Sequence, residues 1–359
     1  MQPRVYAAVF AALLGLAAVT SALSGYFHDA KEARAASLFE RGRAAVATGR
    51  AGAGIEDLRA ARELDRGNPR YSLLLATALY EADRPLEAES YLELAMRADP
   101  TSGPANLLRA RIARALGQPG ADAWYERAMT GAWPEPDDDA RLDAGIELAG
   151  YLLGIDDAPR ARAVLVRLAV DADDPPRAKQ VASLLLAAGG PDDAARVARA
   201  LTTAQPHDDE AWRLLADAEF AAGRDAEAAA AARRALAIDR SNARAQVIAQ
   251  VASAVVALDP SARRLTAAER LRRARELLRR IIDAYDACVP EAERMEGDPL
   301  AAARRVVARR TRETVDVDAV IELAIAAWTA RAARCGPPTA DLAAIARLLS
   351  RFEAAGARP

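Results

Sequence analysis

Small residues recur along this chain at a spacing of 34. Gly42, Ala76 and Ala110 form one such series, and Ala61 and Ala95 a second. Farther on, Val181 matches Leu215, Ala182 matches Ala216 and Ala194 matches Ala228 at the same interval. A recurrence shared by several positions at once marks stacked units, each burying a face against the next. The unit is plainest from Asp209 to Asn242, where two apolar-periodic stretches meet at Ala222-Gly223-Arg224. Trp212, Leu215, Ala216 and Glu219 mark the first stretch; Ala228, Ala232 and Ala235 mark the second. Their spacing is helical. Ala216 and Ala228 are small enough for the two axes to come to the short end of the usual spacing, about 8 Å.

Composition agrees with an all-α chain. Ala dominates and, with Leu, Arg and Glu, favours helix; aromatics are only 5%, and no long stretch alternates β-branched with polar residues. The 359 residues suffice for two ordinary domains or one elongated stack. A net charge of -2 supplies no overall drive toward nucleic acid, which is excluded as a partner, or toward anionic membranes.

The stretch from Asp209 to Asn242 resembles a tetratricopeptide (TPR) repeat, with its period of about 34 residues and its W-x2-L-G-x2-Y and A-x3-F patterns. The resemblance covers residues 35–242 as about six helix pairs, loosest between Gly103 and Pro175, where Trp133 to Asp139 reads as a connector. It implies a right-handed TPR-type helical solenoid whose first helices line a groove for a peptide or helix of another protein. Carried over by position, it points Phe39, Arg43, Leu73, Thr77, Tyr80, Arg111 and Arg114 inward, followed by Lys179, Ser183, Arg213, Asp217 and Phe220. The family's clamp for a carboxylate tail is not reproduced, because Arg111 and Arg114 lack its asparagine partners.

Residues 1–27 stand apart. Val5 to Leu23 contains no charge, and its nineteen residues approach the roughly 30 Å needed to cross a bilayer as a helix. The expectation is a membrane anchor or signal sequence. A retained transmembrane helix, a signal peptide cleaved near Thr20-Ser21-Ala22 or Ala22-Leu23-Ser24, and a buried helix all satisfy the pattern. For a retained anchor, Arg4 keeps the amino terminus in the cytoplasm and puts the bulk outside, single-pass in a bacterial inner membrane.

Residues 243–359 are expected to cap the stack with helices. Thr266 and Glu269 form a capping box that opens one of them. Its arginines, among them Arg272, Arg275 and Arg279, alternate with Glu269, Glu276 and Asp283. That face over 266–284 is either solvated through internal ion pairs or a contact for anionic lipid or an acidic partner. Cys288 and Cys335 each end an expected helix. They are compatible with one disulfide in an oxidising compartment or with two separate buried thiols.

Material for chemistry is scarce. His28 and His207 are the only histidines and lie far apart, so neither a metal site nor a catalytic relay is expected. Gly49-x2-Gly52-x-Gly54 lacks the Lys-Ser/Thr of a phosphate loop, and no C-x-x-C-H attaches haem. Acidic pairs such as Asp156-Asp157 and Asp208-Asp209 lack calcium-loop spacing and read as helix caps. No catalytic residue, cofactor or metal is therefore expected. The functional expectation is a membrane-anchored extracytoplasmic scaffold for protein–protein interaction or complex assembly. The alternative is an accessory docking subunit of an envelope enzyme, in cytochrome c maturation or cell-surface biosynthesis.

Overall fold

The computed structural model describes residues 3–134, 138–170, 174–291, 298–308 and 316–356, and the chain divides into two units at Asp171/Ala172. The first unit holds α1 (Pro3–Ala47), α2 (Ala51–Leu64), α3 (Pro69–Glu81), α4 (Pro85–Ala98), α5 (Gly103–Ala115), α6 (Ala121–Thr130), α7 (Asp138–Gly154) and α8 (Ala158–Leu168). The second holds α9 (Pro175–Ala187), α10 (Pro191–Ala204), α11 (Asp209–Ala221), α12 (Asp225–Ile238), α13 (Ala243–Leu258) and α14 (Ala267–Asp286). It continues with α15 (Ala301–Ala308), α16 (Val317–Cys335), a 3-10 turn at Ala340–Leu342 and α17 (Ala343–Gly356). Among the described residues there is no strand; one isolated bridge joins Ser102 to Ala132. The chain is an all-helical, TPR-like solenoid.

The 34-residue period is visible in the helix starts themselves. Pro69 and Gly103 open α3 and α5; Pro175, Asp209 and Ala243 open α9, α11 and α13. The register therefore runs one helix beyond Asn242. Turn geometry repeats with it. Gly49, Asp83 and Gly117 are 34 apart and all left-handed, as are Gly189 and Gly223. Glycine adopts that conformation freely, and aspartate tolerates it better than most residues.

Helix starts are held by side chains taken from the acidic junctions. Asp157 accepts from the Arg160 N–H, Asp174 from Arg177, and Asp208 from Glu210 and Ala211. Such caps satisfy the free N–H groups of a first turn. Among the described residues no cluster of three or more His, Cys, Asp or Glu could hold a metal ion. Asp173 lies outside the described residues, as do residues 135–137 of the connector.

Within pairs, the small residues sit where helices touch: Ala76, Ala88, Ala182, Ala194, Ala216 and Ala228 are all fully buried. In the first pair glycine is required. A Cβ at Gly42 would lie 2.5 Å from Leu58 Cγ, and one at Gly54 would lie 2.9 Å from the Gly42 carbonyl oxygen.

α1 is one helix of 45 residues whose carboxyl-terminal part packs on α2, beginning at buried Ala35. Toward its start, Phe10, Leu13, Leu14, Leu16, Val19, Leu23, Tyr26 and Phe27 are 50–72% exposed. The sequence expectation of a transmembrane helix is not supported: among the described residues no helix is long and apolar enough to cross a membrane. The run Val5–Leu23 lies partly outside them, since the side chains of residues 5–9, 11, 12 and 18 are not described.

The carboxyl-terminal helices of the second unit share a core built from Leu258 of α13, Leu278 and Ile281 of α14, Val320 of α16 and Leu348 of α17. Cys288 and Cys335 are joined by a disulfide with Cα atoms 5.8 Å apart. The arginines of α14 are largely spent on their own helix. Arg272 and Arg273 pair with Glu269, while Arg279 and Arg280 pair with Glu276. The internally paired reading of this face is the one its ion pairs support, and the alternative of contact with anionic lipid is not supported.

Candidate functional site

The first helices of successive pairs carry the positions singled out from the sequence, and each unit arranges them differently. In the first unit Arg43 is exposed and pairs with Glu40 one turn earlier. Thr77 returns its hydroxyl to the Leu73 carbonyl at 3.0 Å. Phe39, expected in the groove, is instead buried, its ring 4.8 Å from Tyr71 and beneath the Arg70 guanidinium. Apolar area won there, since the ring closes the contact between α1 and α3.

Arg111 forms the firmest inner contact of this unit. Two donors on one edge of its guanidinium, Nε and Nη2, engage the two carboxylate oxygens of Glu147 of α7, with Nε 3.0 Å from Oε2. The buried Tyr125 hydroxyl donates to the same carboxylate at 3.4 Å, and the Tyr125 ring lies 6.0 Å from Tyr151. The hydrogen bond that Arg111 donates to Glu147, working against burial, holds Arg111 above its ordinary pKa. Burial pushes the Tyr125 phenol up to about 12, with Arg114, Glu147, Arg111 and Tyr80 acting on it electrostatically. Tyr80, Arg111 and Arg114 thus all lie within electrostatic reach of Tyr125. Arg111 is neutralised, while the exposed Arg114 has no partner for its side chain among the described residues.

In the second unit, Lys179 and Ser183 of α9 and Arg213 of α11 line one cavity of about 440 Å³, with Pro176, Gln180, Glu210 and Leu214. Lys179 lies 2.5 Å from Asp208 and 3.1 Å from Glu210. Burial works against the charge on Lys179, but these two carboxylates outweigh it and raise its pKa. Burial likewise opposes the charge on Asp208. Lys179 and the N–H groups that Asp208 caps outweigh it and hold the carboxyl below its usual range. Arg213 reaches Asp217 at 2.8 Å, and Asp217 also takes Arg244 of α13 at 2.7 Å. The charged groups of its lining, Lys179, Glu210 and Arg213, are all paired.

Phe220 does not join it. Arg347 of α17 lies 3.7 Å above the Phe220 ring and donates to the Phe220 carbonyl. A groove residue by position is therefore covered by the chain itself. The sequence reading missed Glu147, Tyr125, Gln180 and Glu210. Glu147 stands 36 residues after Arg111 and beyond the connector, so the 34-residue interval does not point to it. Val247 was also overlooked, although it is 34 residues after Arg213 and 52% exposed.

Paired helices whose starts recur at 34 residues on either side of the connector, with small residues at their contacts, define a helical-repeat protein. A family model described as tetratricopeptide repeat matches residues 39–103 and 180–243, so the repeats in these stretches are tetratricopeptide repeats. Arrays of such repeats mediate protein–protein interaction. Similar solved structures include that of PilF from Pseudomonas aeruginosa, at 13% identity and TM-score 0.45, covering 60% of this chain and 97% of that one. PilW, a widely conserved type IV pilus biogenesis factor, is similar at 16% identity and TM-score 0.44, with coverage of 60% and 97%. YrrB, a TPR protein with an unusual peptide-binding site, is similar at 16% and 0.43, with coverage of 53% and 95%. A search of curated proteins returns no match.

Proposed function

We propose that this protein is an interaction scaffold of the bacterial cell envelope, which holds a segment of another protein on the inner face of its repeats. The observation that carries this reading is the convergence of Lys179, Ser183 and Arg213 from two helices on one cavity. Its charged groups already have partners. A bound segment would therefore be recognised by shape and hydrogen bonding, around fixed dipoles, rather than by net charge. Preorganised side chains of this kind lose little entropy on binding.

The test is a photo-crosslinking amino acid at Ser183, which is exposed on the cavity wall. Irradiation in native membranes and mass spectrometry should give one discrete adduct, absent when the crosslinker is moved to the exposed Ala230 of α12. Ser183→Trp, which fills the void and breaks no ion pair, should lower capture at least tenfold with an unchanged melting temperature. Identical adducts from both positions would refute the cavity as the binding site.

The finer part of the proposal is a retained anchor over residues 5–23, with the bulk of the chain extracytoplasmic. The uncharged run, the exposed apolar side chains toward the start of α1 and the disulfide support it, because disulfides persist in oxidising compartments. The protein should then stay in the membrane fraction through carbonate extraction and keep Met1, while Leu14→Arg should release it. A soluble protein beginning near Gly25 would end this part of the reading and leave the scaffold intact. An envelope synthase or transferase as the crosslinked partner would instead favour a docking subunit.

A further inference from the structure

A second surface lies between α4 and α6, the second helices of successive pairs in the first unit. A pocket of about 360 Å³ is lined by Leu92, Glu93, Met96 and Arg97 of α4, Arg109 of α5 and Trp124 of α6. Arg109 and Arg111 are two residues apart on α5, about 200° around a helix of 3.6 residues per turn. The pocket therefore faces away from the Arg111–Glu147 cluster.

Its floor is apolar, with Leu92 fully buried and the Trp124 indole forming a wall. Its lining, and Arg127 stacked on the Trp124 ring beside it, hold hydrogen-bond donors without acceptors among the described residues. Arg97 makes one hydrogen bond, from Nε to the Glu93 carbonyl on its own helix at 3.3 Å. Arg127 lies 4.4 Å over the Trp124 ring and has no carboxylate partner among the described residues. Arg109, 5.7 Å from the same ring, is neutralised by Glu89. The indole N–H of Trp133 donates to Ala128 and that of Trp212 to Pro206, whereas that of Trp124 has no acceptor among the described residues. Against these donors stands one carboxylate of the lining, Glu93.

We infer that this pocket binds an acidic segment of a partner protein, seating one bulky apolar side chain on Leu92, Met96 and Trp124 and an adjacent carboxylate on Arg97 and Arg127. Charge complementarity selects that occupant. A guanidinium already stacked on an indole keeps its in-plane N–H groups free for a carboxylate, and an apolar floor gives a neighbouring side chain its seat. A basic segment would meet two uncompensated arginines. The surface shares no residue with the cavity at Ser183, so each can fail without the other.

The experiment uses the full chain, ¹⁵N-labelled in detergent, and follows its four tryptophan indole signals. Trp124 is assigned by the signal lost in Trp124→Phe. The probes are three capped pentapeptides: Gly-Asp-Phe-Asp-Gly, Gly-Lys-Phe-Lys-Gly and Gly-Asp-Ala-Asp-Gly. The first should shift the Trp124 signal saturably, with affinity at least tenfold above the other two. In the double variant Arg97→Glu, Arg127→Glu, both at exposed positions, the preference should pass to the lysine peptide. A Trp124 signal that ignores all three peptides, or moves equally with each, overturns the proposal. So does a double variant that still prefers the acidic peptide.

Discussion

Asp225→Ala should destabilise the second unit by about 3 kcal/mol and free its last helix. Asp225 opens α12 with its side chain only 4% exposed, and it takes Arg347 at 2.7 Å and Arg351 at 2.6 Å, both from α17. Arg347 is further held by the Phe220 ring and carbonyl, and Arg351 lies 3.6 Å from Asp259. Removing one partner of a buried ion pair costs about 3–5 kcal/mol, because the other charge is left uncompensated. The lower end applies here, since both arginines reach solvent in part and Arg351 can turn outward. At about 2–4 °C per kcal/mol for a unit of this size, the melting temperature should fall by roughly 6–12 °C. Trypsin should then cut between Gly336 and Arg351 well before it cuts the repeats. A double-mutant cycle with Arg347→Ala should show strong coupling, because each single change breaks the same contact. An unchanged melting temperature together with an unchanged digestion pattern would show that α17 is held by its apolar face alone.

The same contact shows what could be read from the chain before its structure. Stacked pairs were legible because small residues answer to others 34 positions away, and helix starts and turns obey that interval on either side of the connector, from Gly49 to Gly117 and from Pro175 to Ala243. Lys179, Ser183 and Arg213 could be placed on one wall because they occupy related positions in neighbouring pairs. Positional analogy says where a side chain starts and leaves open what will cover it. Phe220 holds a groove position, yet Arg347 lies on it from 127 residues away, within a capping region that has no period to follow. Phe39 holds another, but a large ring beside Tyr71 gains more from burial than from an open groove. The arginines of α14 looked like a basic surface. Glu269 and Glu276 lie three and four residues from them on the same helix and neutralise four.

Ala216→Leu should cost about 1–3 kcal/mol, while Ala230→Leu should stay within about 0.5 kcal/mol of the parent. Ala216 of α11 and Ala228 of α12 are both fully buried where the paired helices meet, and Ala230 is exposed. Leucine and alanine have similar helix propensity, so neither change disturbs the backbone by itself. The difference lies in space. Beside Ala216 stands Glu219, buried and pinned by Arg199 at 2.5 Å and by Arg224, which also reaches Asp192 at 2.5 Å. An extra isobutyl group at Ala216 must either push α11 from α12 or displace this carboxylate from its arginines. Both routes cost stability, and neither exists on the outer face. Because the period places Ala182 at the same contact in the preceding pair, Ala182→Leu should repeat the loss. Urea unfolding followed by circular dichroism reads all three variants, with lower midpoints for Ala216→Leu and Ala182→Leu and the parent midpoint for Ala230→Leu. Equal midpoints for all three would mean that the helices of a pair do not meet at these alanines.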